Sequence, residues 1–379
     1  MDKDSIEIEN ESPILENKKP KKKRKFLKIF FITLGIIITI LISIVLFLLY
    51  GPWNGFRDWL ITTAMNTFHH QYLATWFYSD ETIQDCLNRN KIIQVTGYTD
   101  ESLIQFIDYS TRKNITYKNN YERQILEKDK DNNDYKIIKI DGGNKFSGYM
   151  AAIYDPSRVE VISEPTSTPG QCTRQYLTDL SKSSNALVAI NGGGFSFASR
   201  YDAIPLGLTI SKNRLIADNS YAGIIGFNKK HKLILGNFSS EEALTNGIRD
   251  CISFEPYLLM NGEKSQIIGN GGSGSSPRTA IGQRADGIVL FLVLDGNRVL
   301  GQGATMKDLI DIFERYGAIN AANLDGGNST TMTVKNKVIN DPIGKNGNSD
   351  FRLVPSAFIL RADDSDDGDY SVVKDKVNN

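Results

Sequence analysis

Cysteine and histidine are scarce in this chain, and their scarcity argues against several kinds of site. The 379 residues include three cysteines and three histidines. Cys86, Cys172 and Cys251 lack the spacing of a zinc site, and the later part of the sequence has no His/Cys/Asp cluster. Cys172 and Cys251 both lie in that later part and form a candidate disulfide pair. The alternative is that these cysteines are buried free thiols.

Common catalytic and nucleotide-binding motifs are also missing. The sequence has no Gly-x-Ser-x-Gly elbow, no Walker loop and no dinucleotide fingerprint. His231 is the only histidine after residue 70, and it lies among lysines in a predicted surface turn. A serine-hydrolase mechanism would therefore lack its histidine. The sequence implies no cofactor, although a metal bound through Asp325 and nearby carbonyl oxygens stays open.

The net charge is zero, but it is unevenly distributed. Residues 1–28 hold nine Lys or Arg and six Asp or Glu. The remainder holds 35 basic and 38 acidic residues, a net charge of −3. A body of this charge is not a general polyanion binder, and nucleic acid is not an expected partner.

One uncharged apolar run stands out near the N-terminus. Residues 29–50 carry no charged side chain, and as a helix they would span about 33 Å, enough to cross a bilayer core of roughly 30 Å. Eight basic residues lie between positions 18 and 28, and only Arg57 lies close on the other side. This asymmetry predicts a single-pass signal-anchor with its N-terminus in the cytoplasm and the later chain outside the cell. A cleaved signal peptide is the alternative.

The rest of the chain divides by composition. We predict a basic cytoplasmic tail over 1–28, the transmembrane helix over 29–50, and a membrane-proximal helical region with a linker over 51–130. A main domain follows over 131–363, and an acidic tail over 364–379. Within 51–130 the apolar spacing predicts helices over 53–78, 81–88 and 101–109, and the boundary falls near 120–134.

Short β-type segments and helices mix in the main domain without regular alternation. Helices are predicted over 173–183, 240–246 and 305–316, and many short strands surround them. The fold class is therefore α+β, with a mixed β-sheet domain and flanking helices.

Three stretches share one format, an apolar strand next to glycines and small polar residues. They contain Asn191–Phe195, Gly269–Gly282 and Asn323–Met332. Each alone is consistent with a simple turn. Three in one domain indicate loops gathered at one edge of a sheet, where binding sites usually form.

Two charged residues in these stretches are candidates for chemistry. Arg278 follows a glycine-rich turn whose amides can cradle an anion, and its guanidinium can bind a phosphate through two hydrogen bonds. A structural ion pair is its alternative role. Asp325 can act as a base, an acid or an acceptor from a sugar hydroxyl, or it can simply bond to its own turn. Asp295, which ends another apolar strand, is a weaker candidate.

The same stretches resemble the phosphodiester glycosidase family. The matching segments are Asn-Gly-Gly-Gly-Phe at Asn191, Pro-Arg-Thr-Ala-Ile-Gly at Pro277 and Leu-Asp-Gly-Gly-Asn-Ser-Thr-Thr-Met at Leu324. The resemblance covers about residues 136–361. The anchored arrangement is similar to bacterial, exopolysaccharide-related members, which implies a substrate in the cell envelope. The family pattern also points to Arg352, although Phe351 precedes it where an acidic residue is expected.

The resemblance implies hydrolysis of a sugar-1-phosphodiester by a hydrolase acting on phosphorylated glycan. Asp325 and Arg278 would be catalytic. The substrate-binding residues would be Asn191, Gly192, Gly193, Thr279, Gly326, Gly327, Asn328, Ser329, Thr330 and Arg352. Two alternatives stay open: an envelope protein that binds phosphorylated polysaccharide without cleaving it, and a phosphodiesterase that cuts the O–P bond.

Overall fold

The structure is a computed structural model, and it describes residues 21–67, 70–107, 116–127, 134–219, 223–296, 303–341 and 351–362. Most of the predicted basic tail, most of the linker before residue 134 and the acidic tail over 364–379 lie outside these ranges. Contacts group the chain into two compact units, Met1–Arg57 and Asp58–Asn379.

The first unit contains the apolar run. A helix covers Lys21–Tyr50, and its part from Lys25 to Tyr50 is long and apolar enough to cross a membrane. Its large apolar side chains are mostly exposed. This assignment rests on the length and composition of the helix, and a signal sequence near an N-terminus has a similar length and composition.

Eight helices lie in the described ranges. They are α1 (Lys21–Tyr50), α2 (Asn54–Met65), α3 (Tyr72–Thr75), α4 (Asp80–Arg89), α5 (Asn120–Leu126), α6 (Leu177–Ser183), α7 (Ser240–Thr245) and α8 (Met306–Arg315). The predicted cap of α8 is confirmed, since Thr305 and Asp308 accept from each other's backbone N–H.

Three predicted helices differ from the structure. The one over 53–78 is divided between α2, which ends at Met65, and α3, which begins at Tyr72. After α2 the Thr67 hydroxyl donates to the Ala64 carbonyl at 2.9 Å and accepts from the His70 N–H at 3.0 Å, bonds that compete with a continuing helix. The one over 101–109 is only a 3₁₀ turn, Glu101–Leu103, after which the described chain is irregular to residue 107. The one over 173–183 begins at Leu177, because the residues before it pair in a sheet.

Twenty-two short strands are described. They are β1 (Lys91–Ile93), β2 (Tyr135–Asp141), β3 (Phe146–Ile153), β4 (Val159–Ile162), β5 (Cys172–Thr173), β6 (Ala186–Asn191), β7 (Phe195–Phe197), β8 (Asp202–Pro205), β9 (Gly207–Ser211), β10 (Arg214–Asn219) and β11 (Ile224–Asn228). The others are β12 (Leu233–Gly236), β13 (Ile248–Ser253), β14 (Tyr257–Met260), β15 (Glu263–Lys264), β16 (Gln266–Ile268), β17 (Arg278–Arg284), β18 (Val289–Gly296), β19 (Ala318–Leu324), β20 (Met332–Val334), β21 (Lys337–Val338) and β22 (Ala357–Arg361).

These strands form several sheets, and the α+β class is confirmed. The largest sheet has the order β15-β14-β19-β17-β18-β3-β2. Two five-stranded sheets have the orders β10-β9-β13-β11-β12 and β21-β20-β6-β22-β4, and a small one has the order β5-β8-β7. The described strand pairs are antiparallel, whereas a mixed sheet was expected. β1 pairs with β16, so the segment before residue 107 contributes to the second unit.

The core lies on both faces of the seven-stranded sheet. Along β18, Leu290 and Leu292 pack in one apolar cluster with the buried face of α8. The alternate residues Phe291 and Val293 pack in a second cluster with side chains of β6, β11 and β22. Because successive side chains of a strand point to opposite faces, an unbroken apolar strand predicts this two-sided burial.

The proposed disulfide is wrong. All three cysteines are free and buried. Cys172 accepts a hydrogen bond from the Ser163 hydroxyl at 3.1 Å. Cys251 is in the middle of β13, where it pairs with Ile210 of β9. Burial raises the pKa of both thiols, so the alternative of buried free thiols is the one observed.

Candidate active site

The Asp325 stretch begins where β19, an inner strand of the seven-stranded sheet, ends. Leu324 pairs with Thr279 of β17, which places Asp325 next to the start of that strand. A 3₁₀ turn then covers Gly327–Ser329. Gly327 has a φ of +60°, which a glycine adopts without steric cost, and its N–H donates to the Pro277 carbonyl at 2.9 Å. The second and third predicted stretches therefore meet directly.

Asn191 joins the first stretch to both others. Its side-chain amide donates to the Asp325 carbonyl at 2.6 Å. Its oxygen accepts from the Thr279 hydroxyl at 2.7 Å and from the Thr331 N–H at 3.2 Å. Asn191 is at the end of β6 and is almost fully buried. Its side chain therefore fastens the ends of two sheets and fixes the backbone that carries Asp325.

The glycines after Asn191 allow a close backbone approach. The Asp325 N–H donates to the Gly192 carbonyl at 3.2 Å, and the Gly192 N–H donates to the Ser356 carbonyl at 2.9 Å. A Cβ on Gly192 would lie 2.4 Å from the Ser356 hydroxyl, so a larger residue does not fit. The Ser356 hydroxyl also accepts from the Gly193 N–H at 3.3 Å. Sequence reasoning missed Ser356, because its role depends on the pairing of β22 with β6.

Asp325 is partly open to solvent, and the pKa of its carboxyl is shifted. Its side chain is 18% exposed. Burial is the largest effect and raises the pKa of the carboxyl. Hydrogen bonds from Ser329 and from the Gly326 N–H, together with the positive charge of Arg352, act in the opposite direction. The net shift is upward, which suits a carboxylate that exchanges a proton during a reaction.

Arg352 is the basic side chain beside this carboxylate. Its Nη1 lies 3.9 Å from Asp325 Oδ2 and 3.4 Å from the Ser329 hydroxyl oxygen. Its backbone N–H donates to the Asn328 carbonyl at 3.3 Å. The Arg352 side chain is 28% exposed, and its guanidinium carbon lies 5.9 Å from the centre of the Phe195 ring. The structure thus brings Arg352 to Asp325 from a segment outside the three glycine-bearing stretches.

Arg278 has a different environment. Its Nε donates to the Ala304 carbonyl at 3.1 Å, and its Nη2 donates to the Ser273 and Gly274 carbonyls at 2.8 and 3.3 Å. Burial lowers the pKa of Arg278 to about 10, with the charge of Asp308 acting in the opposite direction. Its guanidinium therefore holds together two backbone segments, the glycine-rich loop before β17 and the residues before α8. Nη1 donates no hydrogen bond to the residues that the structure describes.

Backbone N–H groups of the glycine-rich loop before Arg278 donate hydrogen bonds to side chains of the protein itself. The Asn270 N–H donates to the Asn90 side chain at 2.9 Å, and the Gly272 N–H donates to the Asn270 side chain at 3.0 Å. The Gly272 carbonyl accepts from Asn66 at 2.6 Å. The residues that directly follow α2 and α4 therefore hold this loop.

The remaining predicted positions differ in exposure. Asn328 is exposed, whereas Ser329 and Thr330 are buried. The buried Thr330 hydroxyl has no hydrogen-bond partner among the described residues. Asp295 accepts from the Asn340 side chain and the Asp341 N–H, each at 2.8 Å. These bonds indicate a structural role, in which Asp295 holds the segment around residue 340.

Comparison with known proteins finds similar sequences. Residues 184–361 match the family model of phosphodiester glycosidase. The resemblance to the phosphodiester glycosidase family is thereby confirmed. Mouse N-acetylglucosamine-1-phosphodiester alpha-N-acetylglucosaminidase is 26% identical over 223 residues, which cover 53% of this chain and 42% of the mouse protein. The human enzyme of the same name is 26% identical over 220 residues, 52% of this chain and 41% of that protein.

Two further matches extend the comparison. The SPbeta prophage-derived uncharacterized protein YomE of Bacillus subtilis is 29% identical over 190 residues, which cover 47% of this chain and 29% of that protein. The catalytic domain of the zebrafish glycosidase, solved in a form auto-inhibited by its pro-peptide, superposes with a TM-score of 0.50. That match has 22% identity and covers 61% of this chain and 83% of the zebrafish domain, so it supports the fold. The chain spans less than half the length of these curated relatives.

Proposed function

We propose that this chain hydrolyses sugar-1-phosphodiester bonds of the kind found in N-acetylglucosamine-1-phosphodiesters. One observation carries the proposal: a partly exposed carboxylate, Asp325, meets Arg352 where the three glycine-bearing stretches join. The mouse and human relatives are named for this chemistry, and the family match includes Asp325 and Arg352. Hydrolysis of phosphorylated cell-envelope or exopolysaccharide material is the natural setting that we propose.

The proposed reaction needs one carboxylate rather than two. Asp325 accepts a proton from a water molecule, whose oxygen bonds to the anomeric carbon of the sugar. The bond between that carbon and the phosphate oxygen breaks, and its electron pair leaves with the phosphate as a phosphomonoester. Most glycosidases also require a protonated acid to assist a poor leaving group. A phosphate is already a good leaving group and needs its anionic charge held instead.

The contacts suggest how the other residues would contribute. Arg352 keeps the Asp325 carboxylate from binding a proton too readily, and its exposed part can reach a phosphate oxygen. Asn191 and Thr279 act through position, because their polar atoms are bonded to each other and to the Asp325 backbone. For Arg278, contact with a phosphate remains a prediction, and Nη1 is the nitrogen that would make it.

Replacing Asp325 tests the assignment. Asp325→Asn in the detergent-solubilised full chain should reduce kcat for an N-acetylglucosamine-1-phosphodiester by about 10²–10⁴-fold, the usual contribution of a general base. Asp218→Asn changes an exposed aspartate on β10 and is the matched control. Unchanged turnover by the Asp325 variant would refute its role. Substrate binding without turnover in the unaltered chain would favour the non-catalytic binding protein.

Isotope labelling identifies the bond that is cut. Hydrolysis in water enriched in ¹⁸O should place the label in the released sugar, because the proposed attack is at carbon. Label in the phosphate would instead mean cleavage of the O–P bond. Mass spectrometry of the two products distinguishes these outcomes in one experiment.

We also propose that α1 anchors the protein in the cell membrane with the main domain outside the cell. The apolar segment Lys25–Tyr50 and the preceding basic residues support this arrangement. Protease added to intact cells should remove the main domain and leave the N-terminal tail protected. A mature protein whose N-terminus lies after residue 50 would show a cleaved signal peptide instead.

A further inference from the structure

Arg174 lies beside the candidate site, although none of the sequence motifs includes it. It follows β5, and its backbone N–H donates to the Tyr201 carbonyl at 2.6 Å in the small sheet. Its guanidinium carbon lies 4.5 Å from the centre of the Phe197 ring and 5.8 Å from that of Phe195. The position also precedes the family match, which begins at residue 184.

This arginine is buried without a full set of partners. It is 8% exposed. Its Nη2 donates to the carbonyls of Ser199, at 2.9 Å, and Arg200. Among the residues that the structure describes, its buried Nε has no hydrogen-bond partner. A buried charged donor left unpaired is costly, so this nitrogen is suited to a ligand that brings a negative charge.

A second arginine lies close by. The guanidinium carbons of Arg174 and Arg352 lie within 6 Å of the centre of the same ring, Phe195. Burial lowers the pKa of Arg174, the positive charge of Arg352 lowers it further, and the negative charge of Asp202 partly offsets both. Arg352 in turn lies 3.9 Å from Asp325. Two cations that repel each other therefore lie against one ring, and an anion bound between them would relieve that repulsion.

We propose that Arg174 and Arg352 together bind the phosphate of the diester substrate, with Arg174 as a specificity-determining residue. This inference rests on the proposed function of the same site. A phosphate oxygen would accept from the free Nε of Arg174, while Arg352 would contact a second oxygen. The phosphate would then lie next to Asp325, with the sugar carbon between the phosphate and the carboxylate. The Phe195 and Phe197 rings keep the Arg174 guanidinium in place.

Phosphate binding by the detergent-solubilised full chain tests the proposal directly. Isothermal titration with inorganic phosphate should show binding to the unaltered protein. Arg174→Met should weaken that binding by about 10-fold or more, which corresponds to about 1.4 kcal/mol. The matched control is Arg200→Met in the same hairpin, because Arg200 is exposed and its guanidinium lies over the Tyr201 ring. We expect its affinity to change by less than about 2-fold.

Two additions keep the test decisive if Arg174→Met fails to fold. Arg174→Lys preserves a positive charge but removes the Nε donor, and it should also bind phosphate more weakly than the unaltered chain. The KM for the diester should rise in both variants by more than kcat falls, a pattern that a general loss of structure does not produce. Equal phosphate affinity in the unaltered and variant proteins would overturn the proposal, as would no phosphate binding by the unaltered chain.

The same proteins separate this inference from the proposed function. Phosphate binding that depends on Arg174 in a protein without turnover would support the phosphate site and refute the glycosidase activity. Turnover with the same KM in the unaltered chain and in Arg174→Met would support the glycosidase and refute the role of Arg174.

Discussion

Arg278 and Arg352 both lie near the strand ends that carry Asp325, yet their surroundings are opposite. Arg278 is buried, and two of its nitrogens donate to three backbone carbonyls. Arg352 is 28% exposed, and its Nη1 contacts a carboxylate and a hydroxyl at the site. The Arg278 guanidinium stabilises the fold, whereas the Arg352 guanidinium is available to a ligand.

The comparison shows that a residue's place in a motif does not decide its role. Arg278 belongs to the more recognisable segment, Pro-Arg-Thr-Ala-Ile-Gly, and was therefore the stronger candidate for phosphate binding. Its hydrogen bonds are largely satisfied by the protein, so little of its donor capacity is left. Arg352 and Arg174 stand outside the glycine-bearing stretches. Arg352 contacts Asp325 and Ser329, and the Arg174 Nε has no partner among the described residues.

The largest expected effect concerns stability at Arg278. Arg278→Met should lower the free energy of unfolding of the Asp58–Asn379 unit by about 3 kcal/mol, because three carbonyl oxygens lose a charged donor. A urea titration of the detergent-solubilised chain measures this change. Arg214→Met, at an exposed position of β10, is the control and should be nearly neutral. Normal stability with lost turnover would show that Arg278 binds the substrate, and it would contradict the structural role assigned to Arg278.

The next effect concerns activity at Arg352. Arg352→Met should lower kcat/KM for the diester by about 10–100-fold while changing the unfolding free energy by less than about 1 kcal/mol, because the side chain is partly exposed. A loss of stability as large as that of Arg278→Met would contradict the division of roles.

The pH dependence of the same variant sharpens the comparison. Asp325 acts as a carboxylate, so activity should rise with pH through its pKa, which burial places above the ordinary value of 3.8. The Arg352 charge stabilises the carboxylate, so its removal raises that pKa further. The acidic limb of kcat/KM against pH should therefore move to higher pH in Arg352→Met. An unmoved limb would mean that another group controls it.

The smallest expected effect is on stability and concerns Thr279, whose buried hydroxyl donates to the Asn191 side chain. Thr279→Val should lower the unfolding free energy by about 1 kcal/mol, because the Asn191 oxygen loses one of two donors. Thr333→Val is the matched control, since the Thr333 hydroxyl is buried in β20 without a partner among the described residues. Its stability should be unchanged or slightly higher. Equal losses in the two variants would show that the bond to Asn191 contributes nothing.

Much of the local structure could be predicted from the chain itself. The apolar run from 29 to 50, the capped helix α8 and the two-sided burial of β18 follow from hydrophobic spacing and capping residues. The candidate carboxylate Asp325 follows from its place between an apolar strand and two glycines. These features depend on neighbours within a few residues, so short-range patterns are enough to identify them.

Contacts between distant segments could not be predicted in this way. The absence of the Cys172–Cys251 disulfide depends on where β5 and β13 lie, because the two strands belong to different sheets. Ser356 and Arg174 carry no recognisable pattern around them. Their importance comes only from the strands that bring them to the Asp325 region.

The order of residues by itself determined the membrane-crossing candidate, the short strands and the glycine turns, because each arises from local backbone preference and burial. Only the tertiary structure decided which cations face Asp325. That choice depends on which donors the packed protein has already satisfied. The carbonyls that accept from Arg278 and Arg174 lie in loops, and the path of these loops depends on packing that local sequence does not determine.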